Sequence, residues 1–321
     1  MGAAAGAVRP EQILKDLEAL WVELGQSDPE KRNAVLRACS MTLLVALDAG
    51  DDEQEAAETV AELMHEHPSR SIVLRVRRDG GEALEARVLA QCWMPFGRRQ
   101  QICCERIEIT APVERLEEAP RIILGVTVPD LPVVLWCRGA RLCREKGFAE
   151  LAGLADKLIV DSAEFPTAEE GLEFVRKASA RKLTGDLAWT RVTAWREMVA
   201  LLFDCPETGM TARQIERARV IYGGSEAGSS AAYLAGWLRA TLGGGVLVGM
   251  EARREEEGSI VGIEFEGDGM RASVSAHGEF AVMRMNEREH RVPFPPQTLS
   301  LLLREELGIL DRDAWFEESL G

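Results

Sequence analysis

The segment that most constrains this chain is Gly185 to Asp204, GDLAWTRVTAWREMVALLFD, which gathers two tryptophans, two arginines and an apolar helical face. A buried indole contributes its large apolar area only if its N–H also finds a partner. Trp189 and Trp195 together therefore call for either a tightly specified packing corner or a protein-binding surface. From Thr193 onward the spacing is helical, with Trp195, Val199 and Leu202 on one face at steps of four and three. Thr193 is the expected N-cap, and Glu197 suits the positive end of the helix dipole. Arg196 lies on the polar side and Arg191 just ahead of the helix. Taken singly, each residue reads as part of a core helix whose arginines are solvated or paired.

A chain of 321 residues is long enough for two domains. With 46% hydrophobic and 28% charged residues it has the composition of an ordinary soluble globular protein. Its net charge of −15 repels phosphate backbones, so neither nucleic acid nor an anionic membrane is an expected partner. The basic clusters at Arg75–Arg78 and Arg98–Arg99 are short and read as solvated strand or turn. No apolar run approaches the roughly 20 residues of a membrane span. The start, MGAAAGAVRPEQ, lacks the basic and apolar regions of a secretory signal, and Gly6 stands where myristoylation needs Ser or Thr. Those first residues read as a disordered lead. Seven unevenly spaced cysteines, an odd number, suit reduced thiols in the cytoplasm.

Periodicity predicts a helix over Pro10–Leu24, a buried strand over Cys39–Ala46 and a helix over about Asp52–His65. SIVLRVRR, EARVLAQC and CERIEIT follow as strands, split by Gly80-Gly81 and by the Pro95–Gln101 loop, which predicts consecutive antiparallel hairpins. Helix is expected over Pro112–Val128, Phe148–Ala155 and Thr167–Ala180, with strands at LPVVLWC and KLIVDSA. The expected fold class is α/β with mixed sheets. A lead and helix occupy 1–38, a mixed-sheet α/β domain 39–204, and a smaller α+β domain 205–321. DCPETGMT, with Pro206 and Gly209, is the linker candidate. The last domain is expected to hold a strand or helix at Ile215–Tyr222 and a helix over Ala227–Leu242 ended by Gly243–Gly245. A β-meander over Ser259–Val292 and a closing helix over Pro296–Leu307 complete it.

Chemistry is harder to find. Cys103 and Cys104 are neighbours on a strand, so one is expected to face the core and the other outward, with no vicinal disulfide. Cys92 sits across the proposed hairpin, where a cross-strand pair would make a redox switch. Buried free thiols are the expected state. His65-Glu66-His67 has no second cluster and reads as a helix end, so no metal is expected. Asp130, Asp156, Asp161 and Glu164 lie near strand ends, where they serve equally as acid–base groups or as caps. The turn carrying Ser225, Gly228, Ser229 and Ser230 precedes a helix and could cradle a phosphate, although no lysine follows Gly228 as a Walker loop requires. Gly243–Gly245 with Gly249 lacks the third glycine of a dinucleotide fingerprint, since Val248 stands there, so no nicotinamide cofactor is expected. No Ser/Cys–His pairing with elbow context is present, and no catalytic residue is assigned.

GDLAWTRVTAWREMVALLFD also resembles the signature region of the OpcA-type glucose-6-phosphate dehydrogenase assembly proteins. HPSRSIVLRV, ARVLAQC, ICCERIEI, VPDLPVVLWCRG and DKLIVDSAEF upstream, and SSAAYLAGWL and LLLREELGIL downstream, fit the same family in order and spacing. The resemblance runs from about Cys39 to the C-terminus. It implies a cytoplasmic, non-catalytic protein that assembles or activates glucose-6-phosphate dehydrogenase. Because Trp and Arg are enriched at interface hot spots, Trp189, Arg191, Trp195 and Arg196 are the expected partner-binding residues. The rival reading is a sugar-phosphate-binding enzyme or sensor built on Ser225–Ser230.

Overall fold

The computed structural model describes residues 8–26, 35–80, 83–94, 101–204, 212–254, 260–286 and 288–320. The expected lead over 1–7, most of the 95–101 loop and the linker candidate over 205–211 lie outside the described residues. The chain divides into two compact units, Met1–Val160 and Asp161–Gly321.

The first unit opens with α1 (Pro10–Gln26), whose Ile13 and Leu17 are buried. The strands are β1 (Val35–Arg37), β2 (Met41–Leu47), β3 (Ser69–Arg77), β4 (Glu85–Trp93), β5 (Gln101–Pro112), β6 (Val133–Cys137) and β7 (Lys157–Val160). Between them lie α2 (Glu53–Leu63), α3 (Ala119–Leu124) and α4 (Phe148–Gly153). Within this unit the strand order is β1-β5-β3-β2-β6-β7, all parallel, with β4 antiparallel on β5. Every residue of β2 and of β6 is buried, as expected of parallel strands covered on both faces, which read as apolar runs rather than alternations. Asp52 caps α2, its carboxylate accepting the N–H groups of Gln54 and Glu55 at 2.9 Å.

The first of the two expected hairpins does not form. β3 lies parallel to β5, from Ser71 opposite Arg106 to Arg77 opposite Pro112, with β2 on its other side. Its near-continuous burial is satisfied only in the sheet interior, whereas β4 is half exposed and keeps to β5 alone. The β4–β5 hairpin does form and sets Cys92 opposite Cys103 with Cα atoms 4.1 Å apart, and the pair is a disulfide. Free thiols were expected at these positions; the register opposes the two sulfurs directly. Both Cys103 and Cys104 are fully buried, because β5 is covered on both faces, so the outward-facing cysteine is also corrected. Cys104 stays a thiol, and burial pushes its pKa up to about 11.

The arginines of RVRR are engaged, not solvated. Arg78 holds Asp48 with two hydrogen bonds of 2.7 Å. Arg75, Arg87 and Arg106 converge on Glu108, which is only 4% exposed. Burial alone would raise the Glu108 pKa, but the hydrogen bonds from Arg75 and Arg87 outweigh it, and the value falls to about 2.

The second unit contains α5 (Ala168–Ser179), β8 (Leu183–Asp186), α6 (Leu187–Thr190), α7 (Thr193–Asp204), β9 (Arg217–Gly223) and α8 (Ser229–Leu242). The strands β10 (Leu247–Arg253), β11 (Ile260–Gly267), β12 (Met270–His277), β13 (Phe280–Met285) and β14 (Arg288–Pro293) follow, then α9 (Leu299–Gly308) and α10 (Ala314–Ser319). A mixed sheet runs β10-β9-β11-β12-β13-β14. β10 is parallel to β9 with α8 packed on both, a βαβ crossover absent from the sequence reading. β11 to β14 form the expected meander, turning at positive φ on Asp268-Gly269, Gly278 and Asn286. Helix α8 stops at Gly243, whose φ of 80° lies in the left-handed region. α7 packs on β12 and β13, with Phe203 edge-on to Phe265 at 5.1 Å. α10, capped by Asp313, was not expected; six residues are too few for a periodic signal.

The division after Val160 falls well before the 204/205 boundary drawn from composition. Residues 161–204 hydrogen-bond to the helices that follow, through Asp186 to Tyr233, Thr190 to Glu306 and Trp189 to Asp313. Composition records a change of texture; it does not record these contacts.

Candidate functional site

The signature segment GDLAWTRVTAWR turns from strand to helix at Asp186, a residue with no exposed surface. Asp186 Oδ1 accepts the N–H groups of Ala188 and Ser162, each at 2.9 Å, and Oδ2 accepts the Tyr233 hydroxyl at 2.8 Å. Burial first, and the negative charge of Asp161 second, push the Asp186 pKa up to about 6. The Tyr233 hydroxyl, buried beside that carboxyl, is raised well above its ordinary value. The Thr190 hydroxyl sits between the Asp186 carbonyl at 3.1 Å and the Glu306 carboxylate at 2.9 Å. Gly185 leaves room for that same carboxylate, which a Cβ would force to shift. The Trp189 indole N–H donates to Asp313 Oδ2 at 2.9 Å, while its ring packs against Tyr233 and Phe316.

The two arginines are fixed in different ways. Arg191 grips Asp161 with both terminal nitrogens, at 2.8 Å and 2.5 Å, a bidentate fork whose acid is itself 7% exposed. Arg196 lies over the Trp189 ring, its Cζ 3.9 Å from the centroid, and donates to Thr193 Oγ1 at 2.8 Å. Thr193 in turn donates to Glu305 at 2.6 Å. Thr193 is therefore not the N-cap: it is the first helical residue of α7, and the Val192 carbonyl accepts the Arg196 N–H at 2.9 Å. Trp195 meets Phe294 edge-on at 5.0 Å.

Trp189 and Trp195 are 2% and 5% exposed, so neither offers ring area to a partner. The packing-corner reading holds for the tryptophans. The expected contact residues come together as one corner of the second unit, with Arg191 and Arg196 its part-exposed members.

A cleft of about 270 Å³ opens beside this corner, lined by Arg191, Trp195, Ser230, Phe294, Pro296 and Gln297 among others. A second groove of about 410 Å³ shares the Phe294–Gln297 stretch and continues over Met198 and Leu301. The serines expected to cradle a phosphate are not presented together. Ser225 is exposed on the turn, whereas Ser229 and Ser230 are buried, and the Ser230 hydroxyl donates to the Ala188 carbonyl at 3.0 Å. The helix start needs that hydroxyl to pack against α6.

Among the strand-end acids, Asp156 accepts the Val133 N–H at 2.8 Å, and Asp161 caps Ala163 at 3.1 Å besides holding Arg191. Asp161 thus acts as a cap, and Asp156 holds the start of β6. His65 stacks on Trp93 at 5.1 Å, and among the described residues no group of three or more His, Cys, Asp or Glu could hold a metal ion. Also among the described residues, no helix is long and apolar enough to cross a membrane.

Five residues that build the corner escaped sequence reasoning in that role: Asp161, Asp186, Tyr233, Glu306 and Asp313. Asp186 and Tyr233 lie inside GDLAWTRVTAWR and SSAAYLAGWL, so the resemblance had bracketed them. Glu306 and Asp313 lie 116 and 124 residues from their partners, where no spacing rule reaches.

Residues 60–177 match the family model described as the glucose-6-phosphate dehydrogenase subunit N-terminal domain, and residues 182–320 the one described as its C-terminal domain. The chain belongs to the OpcA family. The protein named OxPP cycle protein OpcA from Synechocystis sp. is 28% identical over 190 residues, which cover 58% of this chain and 39% of that protein. Its namesake from Nostoc punctiforme is 28% identical over 185 residues, covering 56% and 39%. This OpcA-family chain thus matches only about two-fifths of the length of these relatives. Among solved structures, an NAD-binding oxidoreductase from Klebsiella pneumoniae aligns over 88% of this chain and 93% of its own, at 9% identity and a TM-score of 0.48. The biliverdin reductase of Synechocystis sp. aligns over 87% and 94%, at 11% identity and a TM-score of 0.42. Likenesses of this order assign the chain no cofactor and no chemistry.

Proposed function

We propose that this chain is a non-catalytic, cytoplasmic accessory protein that binds a glucose-6-phosphate dehydrogenase and promotes its assembly or active state. The observation that carries the reading is the family match, whose two descriptions both name a subunit of that dehydrogenase and between them take in residues of both units. The curated relatives are named for the OxPP cycle, which supports a partner of the first enzyme of the oxidative pentose phosphate pathway. An activator must bind one conformation or oligomeric state of its target better than the others. The Trp189–Arg196 corner contributes by fixing the surface around it, since its rings are inside and Trp189, Arg191 and Arg196 are each held by a hydrogen bond.

The experiment is reconstitution. The purified chain and a dehydrogenase from the same cell are mixed, complex formation is followed by sedimentation, and turnover is measured with and without the chain. A complex and a change in dehydrogenase activity are expected, with no glucose 6-phosphate oxidation by the chain alone. Independent sedimentation with unchanged turnover, or oxidation by the chain alone, overturns the proposal.

A further inference from the structure

We propose that the cleft beside Arg191 binds a compact organic anion: a carboxylate or phosphate monoester carried on a sugar-sized body. Four observations converge. The first is charge. The residues lining the cleft include one cation, Arg191, and no acid, in a chain whose net charge is −15. Asp161 offsets the charge of Arg191, but a lining that offers N–H donors and no carboxylate suits an acceptor-rich anion and disfavours metal ions and amines.

The second is the state of Arg191. Its bidentate fork with Asp161 uses one N–H on each terminal nitrogen, which leaves three of its five donors for another acceptor. Asp161 thereby holds the guanidinium in one place, and a pre-set donor loses little freedom when a ligand arrives.

The third is the start of α8, a helix of 14 residues whose second residue, Ser230, lines the cleft. Gly228 occupies the N-cap position and makes no side-chain hydrogen bond to the first turn. A helix start capped in this way keeps its partial positive charge available to an anion.

The fourth is the rest of the lining. Phe294, Pro295, Pro296 and Ile260 supply an apolar surface, and Gln297 an amide that can both donate and accept. A bare inorganic ion would leave that surface unused, and a purely apolar ligand would leave Arg191 unused. An anionic head on a small hydroxylated body uses both. The space suits a ligand smaller than the drug-sized molecules that fill typical pockets.

This inference does not rest on the dehydrogenase reading, because binding is measured on the chain alone. The probes are a hexose monophosphate, the hexuronate of the same sugar, the neutral hexose and inorganic phosphate, titrated calorimetrically into the purified chain. The two sugar anions are expected to saturate one site, with the neutral hexose and inorganic phosphate each at least ~10-fold weaker, the scale of one lost charge-assisted contact. The relative strength of phosphate and carboxylate then identifies the natural head group.

Arg191→Gln alone strands Asp161 and puts the fold at risk, so the paired variant Asp161→Asn, Arg191→Gln is used; it removes both charges and keeps two hydrogen-bonding amides. It should erase the preference for anions over the neutral hexose. Gln297→Ala, in the stretch between β14 and α9, should weaken both sugar anions by ~3- to 10-fold with an unchanged melting temperature. The proposal is overturned if no sugar anion titrates at concentrations up to about 10 mM, a limit of roughly −3 kcal/mol. It is equally overturned if both variants bind the anions as the parent does, or if the neutral hexose binds as well as its charged forms.

Discussion

Replacing Asp186 by asparagine separates the charge of a buried carboxyl from its hydrogen bonds. Oδ1 takes the two backbone N–H groups of Ser162 and Ala188, and Oδ2 takes only the Tyr233 hydroxyl. An asparagine in the same rotamer keeps its oxygen on the two N–H groups and turns its amide toward Tyr233, whose oxygen accepts as well as it donates. Geometry survives and the charge is lost.

The magnitude follows from the shift. The pKa rises from an ordinary 3.8 to about 6 in the folded protein, which is worth up to ~3 kcal/mol at 1.36 kcal/mol per unit. The sign is opposite to that of a salt-bridged acid. Because the folded state holds this proton more tightly, the group's contribution to stability is fully present below the unfolded value of 3.8, declines as pH rises, and is lost above about 6. Asparagine has no such dependence. Urea unfolding of parent and variant from about pH 4 to about pH 8, followed by tryptophan fluorescence, gives the difference at each pH; the titration of all other groups cancels in it. The variant should be close to the parent at the acid end and more stable by up to ~3 kcal/mol at the alkaline end. A difference that does not change with pH, or a variant that loses ground as pH rises, refutes the reasoning.

Arg191→Ala leaves Asp161 without its counter-ion; because the guanidinium is 31% exposed, solvent screens part of the loss, and a destabilisation of ~1–3 kcal/mol by chemical denaturation is expected. An unchanged unfolding midpoint would show that the fork contributes nothing. Gly236→Ala places a Cβ 2.5 Å from the Ser319 carbonyl oxygen, so α8 and α10 must part and thermal melts should report a loss of ~1–3 kcal/mol. Gly153→Ala, with nothing within 4 Å, is the control and should be neutral or slightly stabilising. Alkylation of the unreduced protein followed by mass spectrometry should leave Cys92 and Cys103 unmodified, and reducing their short loop should lower stability by ~2–3 kcal/mol. Modification of all the cysteines without reductant would count against the pair.

Where burial follows period, the sequence was legible. MTLLVAL announced a buried strand by being apolar without alternation, VVLWC announced a strand, and Trp195, Val199 and Leu202 announced the inner face of α7. The meander from Ile260 to Pro293 was legible for the same reason, since its strands alternate between a buried and a half-exposed face. Partnership was not legible. SIVLRVRR reads equally well as one arm of a hairpin or as an interior parallel strand, and only its neighbours β2 and β5 decide. The arginines of RVRR looked solvated because their acids, Asp48 and Glu108, are 30 and 33 residues distant from Arg78 and Arg75. Long-range polar pairing leaves no periodic trace.

That distinction bears on how the signature segment should be understood. A concentration of Trp and Arg has two physical origins, an exposed hot spot or a corner where large rings and long cations are locked together. In this chain the rings are inside, Arg196 covers Trp189, and Thr193, Thr190 and Asp186 tie the turn to α9 and α8. The corner is therefore a joint that holds several helices of the second unit in register. Both its cations, Arg191 and Arg196, are part-exposed, and Arg191 lines a cleft. Loss of dehydrogenase activation on mutating Trp189 or Trp195 would consequently report on the integrity of the joint, not on contact. A contact role has to be tested with residues that are exposed and unpaired in the fold. The informative comparison is therefore a variant that removes cleft chemistry at constant stability, such as Gln297→Ala, set against one that loosens the joint, such as Gly236→Ala. If only the second impairs activation, the second unit acts as a rigid support; if the first does so at an unchanged melting temperature, occupancy of the cleft is coupled to the partner.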